Sequence, residues 1–401
     1  MKVKQAVIMA AGLGKRLRPL TLTRPKVLLK AGNKSIIEHN LEQLEGLIKE
    51  VIIVVGYKRD MVEEAVKNLD TNLNIKFLVQ QEQKGTADAL KICETMLDEM
   101  FLVMNGDDFY AKEDIKSLLA LKSPGILVKE VEQPQNFGIV NTEKGLVREI
   151  EEKPSEPKSN LANTGCYVLP KEVFSFEISE SSRKELEIVE YINKLCKKED
   201  VSVAEVKEYW FPIVYPWSLL KANEYFVNNI EDSVIKGEIE KNVTIKGNII
   251  LEEGAVIKSG TYIEGNAIIG KNSAIGPNAL LRKRGGVSIG DNCKIGFSCE
   301  IINTIVMDNS KIPHLSYVGD SIIGSNCNFG AGSIVANLRH DRQNIKVEIN
   351  GKLVDTGLRK FGAIVADNCK LGIKTVIYPG RVLWPNTTTL PGEIISKNKY
   401  Q

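Results

Sequence analysis

Two stretches of this 401-residue chain combine residue types that could do chemistry. The first is Ala10-Ala11-Gly12-Leu13-Gly14-Lys15-Arg16, followed by Arg24-Pro25-Lys26. Glycines directly after a strand let the backbone approach a phosphate, and a helix start beyond them offers unpaired N–H groups to an anion. Arg16 and Lys26 add positive charge suited to a triphosphate. The same Gly-x-Gly spacing also serves a plain tight turn. It lacks the Gly-Lys-Ser/Thr ending of a Walker loop and is no full dinucleotide fingerprint. The second stretch, Lys311–Asp320, holds His314, one of three histidines with His39 and His340, and Asn328 and Asn337 follow it. His39, between Glu38 and Asn40 on a helical stripe, reads as structural or surface. Asp107 and Asp108 are carboxylates that could serve a cation or cap a helix starting near Lys112.

The elements that must position these residues differ between the two halves. In residues 1–131 the runs Ala6–Met9, Val51–Val55, Ile75–Val79 and Phe101–Met104 read as buried strands alternating with helical stripes such as Ile37, Leu41, Leu44 and Ile48. Repeated βαβ units predict a parallel sheet with helices on both faces, which binds ligands beyond the carboxyl ends of its strands. The segments there are Ala11–Arg16, Gly56–Arg59, Gln80–Thr86 and Asn105–Asp108. Residues 132–210 are mixed, and Pro216 opens a helical stripe of Leu219, Asn223, Phe226 and Ile230. Beyond it Ile239, Ile245, Leu251, Ile257, Ile263, Ile269, Ile275 and Leu281 fall six apart without a slip. A six-residue period is neither helical nor alternating; it predicts a left-handed parallel β-helix with three hexads to a coil. The stretch around His314 interrupts that rhythm. The domains are therefore expected at 1–215, a linker helix at 216–235, and the β-helix at 236–401.

Composition removes several classes of function. Lys+Arg number 53 against 51 Asp+Glu, a formal charge of +2, so no global field favours nucleic acid or an anionic membrane. The only apolar run near the start, Ala6 to Ala11, is far short of the roughly 18 residues of a span and is read as a strand, not a signal peptide. Seven scattered cysteines without a CxxC pair predict a reducing, cytoplasmic setting without disulfides or a zinc site. Cys293 and Cys299, six apart, read as packing thiols.

The segment AAGLGKRLRPLTLTRPK resembles the signature of the sugar-phosphate nucleotidylyltransferases. In order behind it, Gln80–Ala87 resembles that family's base-recognition loop, Asn105-Gly106-Asp107 its metal-binding segment, and Glu151–Pro154 with Asn163-Thr164-Gly165 its sugar-binding segments. The resemblance covers roughly residues 1–230 and implies a Rossmann-like α/β nucleotidyltransferase domain. It further implies Ala11, Gly12, Gly14, Gln80, Gly85 and Thr86 on the nucleoside triphosphate. Arg16 and Lys26 would be catalytic, Asp107 would bind Mg²⁺, and Gly138, Glu152, Lys153 and Asn163 would grip the sugar 1-phosphate. Glu151-Glu152-Lys153 could equally be a solvated turn. Many relatives carry a second metal-binding Asp or Asn where this chain has Pro212, so Asp107 either suffices with phosphate oxygens and waters or this half is a weak or lost catalyst.

The order His314, Tyr317, Asn328, Asn337 is similar to the acetyltransferase domain of the bifunctional N-acetylglucosamine-1-phosphate uridylyltransferase/glucosamine-1-phosphate acetyltransferases. That implies acetyl transfer from acetyl-CoA to an amino-sugar 1-phosphate, with His314 as base, since a free histidine titrates at about 6.5. Tyr317, Asn328, Asn337 and Lys346 would hold the amino sugar, Ala331, Ala363 and Gly380 would lie along the CoA side, and residues 340–360 would form a protruding loop with His340-Asp341-Arg342 at its tip. A homotrimer is implied as well. Ile302-Asn303 stands where a lysine is usual, and Arg282 and Lys283 could supply part of that charge. His314 could instead simply turn outward at a coil corner. Two competing readings are a nucleotidylyltransferase whose β-helix only oligomerises and a non-catalytic regulator similar to translation-initiation guanine-exchange-factor subunits. Arg16, Lys26 and Asp107 argue against the regulator, and His314 with its two asparagines against the spacer.

Overall fold

A computed structural model describes residues 3–181, 183–282 and 284–400; Lys283, weighed above as a source of phosphate charge, lies outside them. By contact the chain forms two units that interleave in sequence. The first is Met1–Leu13, Pro25–Leu28 and Ile36–Pro212, and the second is Gly14–Arg24, Leu29–Ser35 and Ile213–Gln401.

The first unit is built on strands β1 (Gln5–Met9), β2 (Glu50–Val55), β3 (Asn74–Val79) and β4 (Met100–Asn105), joined by helices α1 (Ile36–Leu44), α2 (Arg59–Lys67) and α3 (Thr86–Lys91). A short strand β5 (Asp108–Tyr110), helix α4 (Lys112–Leu119) and β6 (Gly125–Glu130) follow. Then come β7 (Gly138–Glu143), β8 (Leu146–Glu152), β9 (Leu161–Pro170), α5 (Ile188–Leu195), β10 (Ser202–Glu205) and β11 (Trp210–Pro212). Nine strands form one sheet in the order β3-β2-β1-β4-β9-β6-β10-β8-β7. The four strands expected from the apolar runs are parallel, but β9 enters antiparallel to both β4 and β6, so the sheet is mixed beyond β4.

Alternate side chains of the parallel strands serve two cores. Ala6, Ile8, Val51, Ile53, Leu102 and Met104 pack with Ile37 and Leu41 of α1 and Ile115 and Leu118 of α4. Val7, Ile52, Val54, Phe101 and Val103 pack with Ala87 and Leu90 of α3 and Ile192 and Leu195 of α5. Both faces are covered, so these strands read as continuous apolar runs. Each of the Val, Leu, Ile, Met and Phe side chains contributes about 1.5–3 kcal/mol on burial.

In the second unit α6 (Pro216–Asn228) starts with Pro216 in its first turn and a capping box between Tyr215 and Ser218. The chain then winds as a left-handed parallel β-helix whose three faces are sheets of eight, seven and eight strands. Its interior is the column of hexad residues, among them Leu251, Ile257, Ile263, Ile269, Ile275 and Leu281, joined by Cys293, Cys299, Cys327 and Cys369. Asn272, Asn278, Asn292, Asn309, Asn326, Asn368 and Asn386 have φ of 53–65°, left-handed conformations that asparagine tolerates at turns.

The interruptions of the repeat obey a rule visible only in the pairing. Leu251 pairs with Ile269, eighteen residues on, but Ile269 pairs with Ile289, twenty on. Ile289 pairs with Val306 and Val306 with Ile323, seventeen on each time, and Ile323 pairs with Val365, forty-two on. The extra residues fall at Arg282–Gly286, the missing ones at Asn303-Thr304 and Asp320-Ser321, and the long excursion after Asn337, all at one corner of successive coils. The excursion contains an antiparallel hairpin, Lys346–Ile349 with Lys352–Asp355, whose turn is Asn350-Gly351. His340-Asp341-Arg342 is exposed and precedes the first hairpin strand; Asp341 there is ion-paired with Arg339.

Candidate functional sites

In the first unit the residues past the strand ends are held mostly by backbone. Ala11 is buried, its carbonyl accepting from the Tyr57 N–H, while Gly12 is exposed and has open space on its Cβ side. A Cβ on Gly106 would lie 2.7 Å from the Met9 carbonyl oxygen, which explains a glycine directly before Asp107. Lys26 Nζ donates to Asp107 Oδ2, with the lysine side chain 11% exposed and the aspartate 39%. Asp108 faces the other way, its carboxylate accepting from Trp210 Nε1 (3.2 Å) and its carbonyl from Asn40 Nδ2 (2.8 Å). Helix α4 has Ala111 at its N-cap, so neither aspartate occupies that position, and the Lys112 N–H donates to Gln43 Oε1 at 3.1 Å. His39 is a buried structural residue, with Nε2 3.1 Å from both the Tyr110 carbonyl oxygen and the Tyr209 hydroxyl.

Gln80 is buried and donates through Nε2 to the Gly85 carbonyl (3.1 Å) and to Asp88 Oδ2 (2.8 Å), leaving its carbonyl oxygen outside these bonds. Gly85 has φ 124°, and a Cβ there would meet the Leu186 carbonyl oxygen at 2.2 Å. Thr86 Oγ1 accepts from the Ile188 N–H at 3.0 Å. Gly138, Glu152 and Asn163 come together: Gly138 is paired with Glu152 in the sheet, and a Cβ on it would lie 2.9 Å from Glu152 Oε2 and 3.7 Å from Asn163 Cβ. Asn163 Nδ2 donates to the Tyr167 hydroxyl, whose pKa burial pushes up, so it stays a neutral phenol. Arg183, which sequence reasoning missed, lies 3.3 Å from Glu152 and 2.7 Å from Glu187.

The fit of a magnesium ion can be judged from these donors. Among the described residues no cluster of three His, Cys, Asp or Glu side chains could hold a metal. Pro212 lies opposite Asp108 across the β5–β11 pair and offers no ligand. Asp107 is the accessible carboxylate, which suits Mg²⁺, because this ion keeps several waters and takes one or two carboxylates plus substrate phosphates.

In the second unit Gly14 (φ 59°) opens a short turn, Lys15–Leu17, on which Arg16 is exposed. At the irregular corner of the β-helix, a cleft of about 490 Å³ is lined by Glu264, Arg282, Arg284, Ile302, Tyr317, Asn337, Leu338 and Lys360. Behind it Asp320, 1% exposed, accepts from Asn303 Nδ2 (2.8 Å), Asn337 Nδ2 (2.6 Å) and the Arg284 guanidinium. Asn337 Nδ2 also approaches the Tyr317 hydroxyl (3.0 Å). A Cβ on Gly319 would lie 2.4 Å from Asn337 Nδ2 and 2.8 Å from that hydroxyl, so glycine keeps the space in which the two meet. Burial raises the Tyr317 pKa above the ordinary phenol value, although the bond from Asn337 lowers it.

Tyr317 and Asn337 thus share one cleft, and Ile302 lines it where a lysine was expected. Arg282, paired with Glu300 at 2.8 Å, together with Arg284 and Lys360 gives the cleft three cations. Asp320, Arg284 and Lys360 were not singled out from sequence; the signal available was a Gly-Asp at a shortened repeat and a basic run before Gly285-Gly286. His314 is exposed outside this lining, with Gly332 N–H and Ser316 Oγ both bonded to its carbonyl. Lys346 is exposed on the first hairpin strand, whose Val347 and Ile349 are buried, and a Cβ on Gly380 would lie 2.7 Å from the Lys346 carbonyl oxygen. Ala363 pairs beside Arg381 in the same face, Asn328 is exposed on its own coil, and Ala331 accepts from the Lys374 N–H.

These features define a class. Residues 5–229 match the nucleotidyl transferase family, residues 248–283 the bacterial transferase hexapeptide, and residues 284–389 the GMPPB C-terminal domain. A crystal structure of UDP-glucose pyrophosphorylase with UDP-glucose aligns at TM-score 0.51 and 22% identity over 56% of this chain and 98% of its own, which is a likeness of fold. Over 379 residues the chain is 44% identical to the bifunctional protein GlmU of Methanocaldococcus jannaschii, covering 94% of this chain and 90% of that protein. It is 38% identical over 401 residues, 98% of each chain, to a bifunctional sugar-1-phosphate nucleotidylyltransferase/acetyltransferase of Sulfurisphaera tokodaii. The chain belongs to this family of bifunctional enzymes, with a nucleotidyltransferase half and a hexapeptide half.

Proposed function

We propose that the chain makes an activated amino sugar in two steps: acetyl transfer from acetyl-CoA to glucosamine 1-phosphate, and nucleotidyl transfer from UTP or dTTP to N-acetylglucosamine 1-phosphate. The observation that carries this reading is the cleft held by Asp320, because a β-helix that only oligomerised would not require a buried carboxylate to hold an asparagine and a tyrosine toward open space.

In nucleotidyl transfer a phosphate oxygen of the sugar 1-phosphate attacks the α-phosphorus, the bond to the β-phosphate oxygen breaks, and pyrophosphate leaves. Lys26 and Arg16 offset the charge on the phosphate oxygens, Gln80 and Gly85 read the base, and Gly138, Glu152, Lys153 and Asn163 hold the sugar. When Mg²⁺ is bound at Asp107, it supplies neutralisation of the phosphates. In acetyl transfer His314 takes a proton from the amine, whose nitrogen attacks the thioester carbonyl; the C–S bond breaks and the CoA sulfur leaves. Tyr317 and Asn337 hold the sugar phosphate, Asn328 orients the amine, Lys346 lies near the phosphate, and the Ala331, Ala363 and Gly380 backbone borders the CoA.

The six-residue rows present flat faces that copies of the chain can share, which supports a homotrimer; light scattering at micromolar concentration showing a monomer overturns it. Seven free cysteines support a cytoplasmic setting. No helix among the described residues is long and apolar enough to cross a membrane. The deciding experiment is a panel of UTP and dTTP against several sugar 1-phosphates, run beside a CoA-release assay with glucosamine and galactosamine 1-phosphate. Pyrophosphate release without CoA release leaves the single-activity reading, and neither leaves the regulator.

A further inference from the structure

A second corner of the β-helix carries acidic side chains whose two oxygens do different things. Asp291, Asp308, Ser325 and Asp367 occupy equivalent places, two residues past the paired Ile289, Val306, Ile323 and Val365 of four successive coils. One oxygen completes the corner: Asp308 Oδ1 accepts the Asp291 N–H (2.9 Å), and Asp367 Oδ1 accepts the Ser325 N–H (2.7 Å). The other oxygen reaches the segments Gly14–Arg24 and Leu29–Ser35, which belong to this same unit. Asp308 Oδ2 meets Lys30 Nζ at 2.7 Å, and Asn33 Nδ2 donates to the Ile289 carbonyl at 2.6 Å. Asp367 Oδ2 accepts from both Arg24 Nη2 (2.6 Å) and Thr23 Oγ1 (2.6 Å), and Arg24 Nη2 donates to Ser325 Oγ (2.9 Å).

The Arg24–Asp367 pair is out of solvent, its side chains 13% and 7% exposed. Removing either partner strands the other charge in a low-dielectric place, so the chain at Thr23-Arg24 has one favourable position. At the other end of the same segment Thr21 Oγ1 donates to the Gly14 carbonyl at 2.9 Å. Arg16 sits between Gly14 and this anchor, on a turn whose next residue, Leu17, is buried and bonds back to the Gly14 carbonyl; the Arg16 side chain itself is exposed and makes none of the described hydrogen bonds or ion pairs. A guanidinium that must meet a phosphate in the transition state loses rate steeply when displaced by about 1 Å.

We propose that Asp367, acting through Arg24 and Thr23, is a positioning residue for nucleotidyl transfer: the coil corner holds the segment that carries Arg16. The inference rests on the reading of Arg16 as a phosphate contact, and the test separates the two.

Full-length Arg24→Met, Asp367→Asn, the double variant, Arg24→Lys and Arg16→Ala are assayed for pyrophosphate release with varied UTP and N-acetylglucosamine 1-phosphate, for CoA release, and for Tm. Asp367→Asn keeps the oxygen that completes the corner. The expected result is a loss of about tenfold or more in nucleotidyl kcat for each single latch variant, and a double variant no worse than the worse single one, as for residues that act as a unit. Arg24→Lys should recover part of the rate, with CoA release within about twofold of wild type. Nucleotidyl turnover unchanged in Arg24→Met and Asp367→Asn while Arg16→Ala is impaired overturns the latch. Parallel losses of both activities with a lowered Tm overturn it in favour of a purely structural pair. Arg16→Ala turning over like wild type, or a wild type without nucleotidyl turnover, removes the reading of Arg16 and the inference with it.

Discussion

At the strand ends of the α/β sheet, Lys26 and Asp107 face each other as a cation and a half-exposed carboxylate, either of which can change partners. In the β-helix cleft, Asp320 is almost wholly buried and its oxygens are taken up by Asn303, Asn337 and Arg284. The contrast fits what the proposed function asks of each place. A site for polyanions and a divalent cation has to exchange charges during each turnover, so its carboxylate stays accessible. In the cleft the Tyr317 hydroxyl accepts from Asn337 and keeps its own proton to donate, while the charge that holds Asn337 lies behind, where the low dielectric strengthens each bond it accepts.

The contrast is broken most directly at His314. His314→Ala should lower CoA release by about 10²–10⁴-fold, as for a lost general base, and leave pyrophosphate release near wild type. Full CoA release across pH 6–9 would show that the β-helix chemistry does not need this histidine. Next in size, Lys26→Ala and Asp107→Ala should each lower Mg²⁺-dependent pyrophosphate release by at least about 10²-fold, roughly 3 kcal/mol, and spare acetyl transfer. Equal loss of both activities in either variant would mean that the pair holds the fold and not the phosphates.

Asp320→Asn sharpens the comparison. The amide keeps one acceptor and removes the charge, so Asn337 and Arg284 lose their common anchor; a rise of about tenfold in KM for glucosamine 1-phosphate is expected, with a smaller change in kcat. A fall in kcat alone would place Asp320 closer to the reacting amine than the cleft geometry does. The smallest effect concerns thiols, which both cores bury alike. Burial pushes Cys93 of the α/β core up to about 12 and Cys293 of the coils, despite a backbone hydrogen bond, up to about 12. These raised values leave stability intact below the unfolded thiol value of about 8.5 and remove it as pH rises from there toward 12, by about 1.4 kcal/mol per pH unit for each thiol. Thermal melts between pH 8 and 10.5 should show a fall that is shallower in Cys93→Ala and Cys293→Ala, and slopes identical to wild type would contradict it.

Much of the scaffold is legible from local pattern, because hydrophobic period is set by backbone geometry. Ala6–Met9, Val51–Val55, Ile75–Val79 and Phe101–Met104 are apolar without alternation because both faces of their sheet are covered, and the six-residue row from Ile239 to Leu281 admits few folds besides the β-helix. The antiparallel entry of β9 was not legible, since Leu161–Pro170 has no local mark of the direction in which it will pair. The slips in the repeat were visible as slips. That they all stack at one corner emerges only when coils of seventeen, twenty and forty-two residues are laid over one another.

By itself the sequence determined which residue types are available for phosphate, amine and cation chemistry, and the order of the two architectures, because these depend on composition and on periods of two, 3.6 and six. Tertiary structure decided which of those residues meet. Asp320 reaches Asn337 across one coil, Gly138 reaches Asn163 across a sheet, and Asp367 reaches Arg24 from 343 positions away. Such encounters are set by how coils and strands are stacked, and a chain position has no local propensity that specifies a partner so remote.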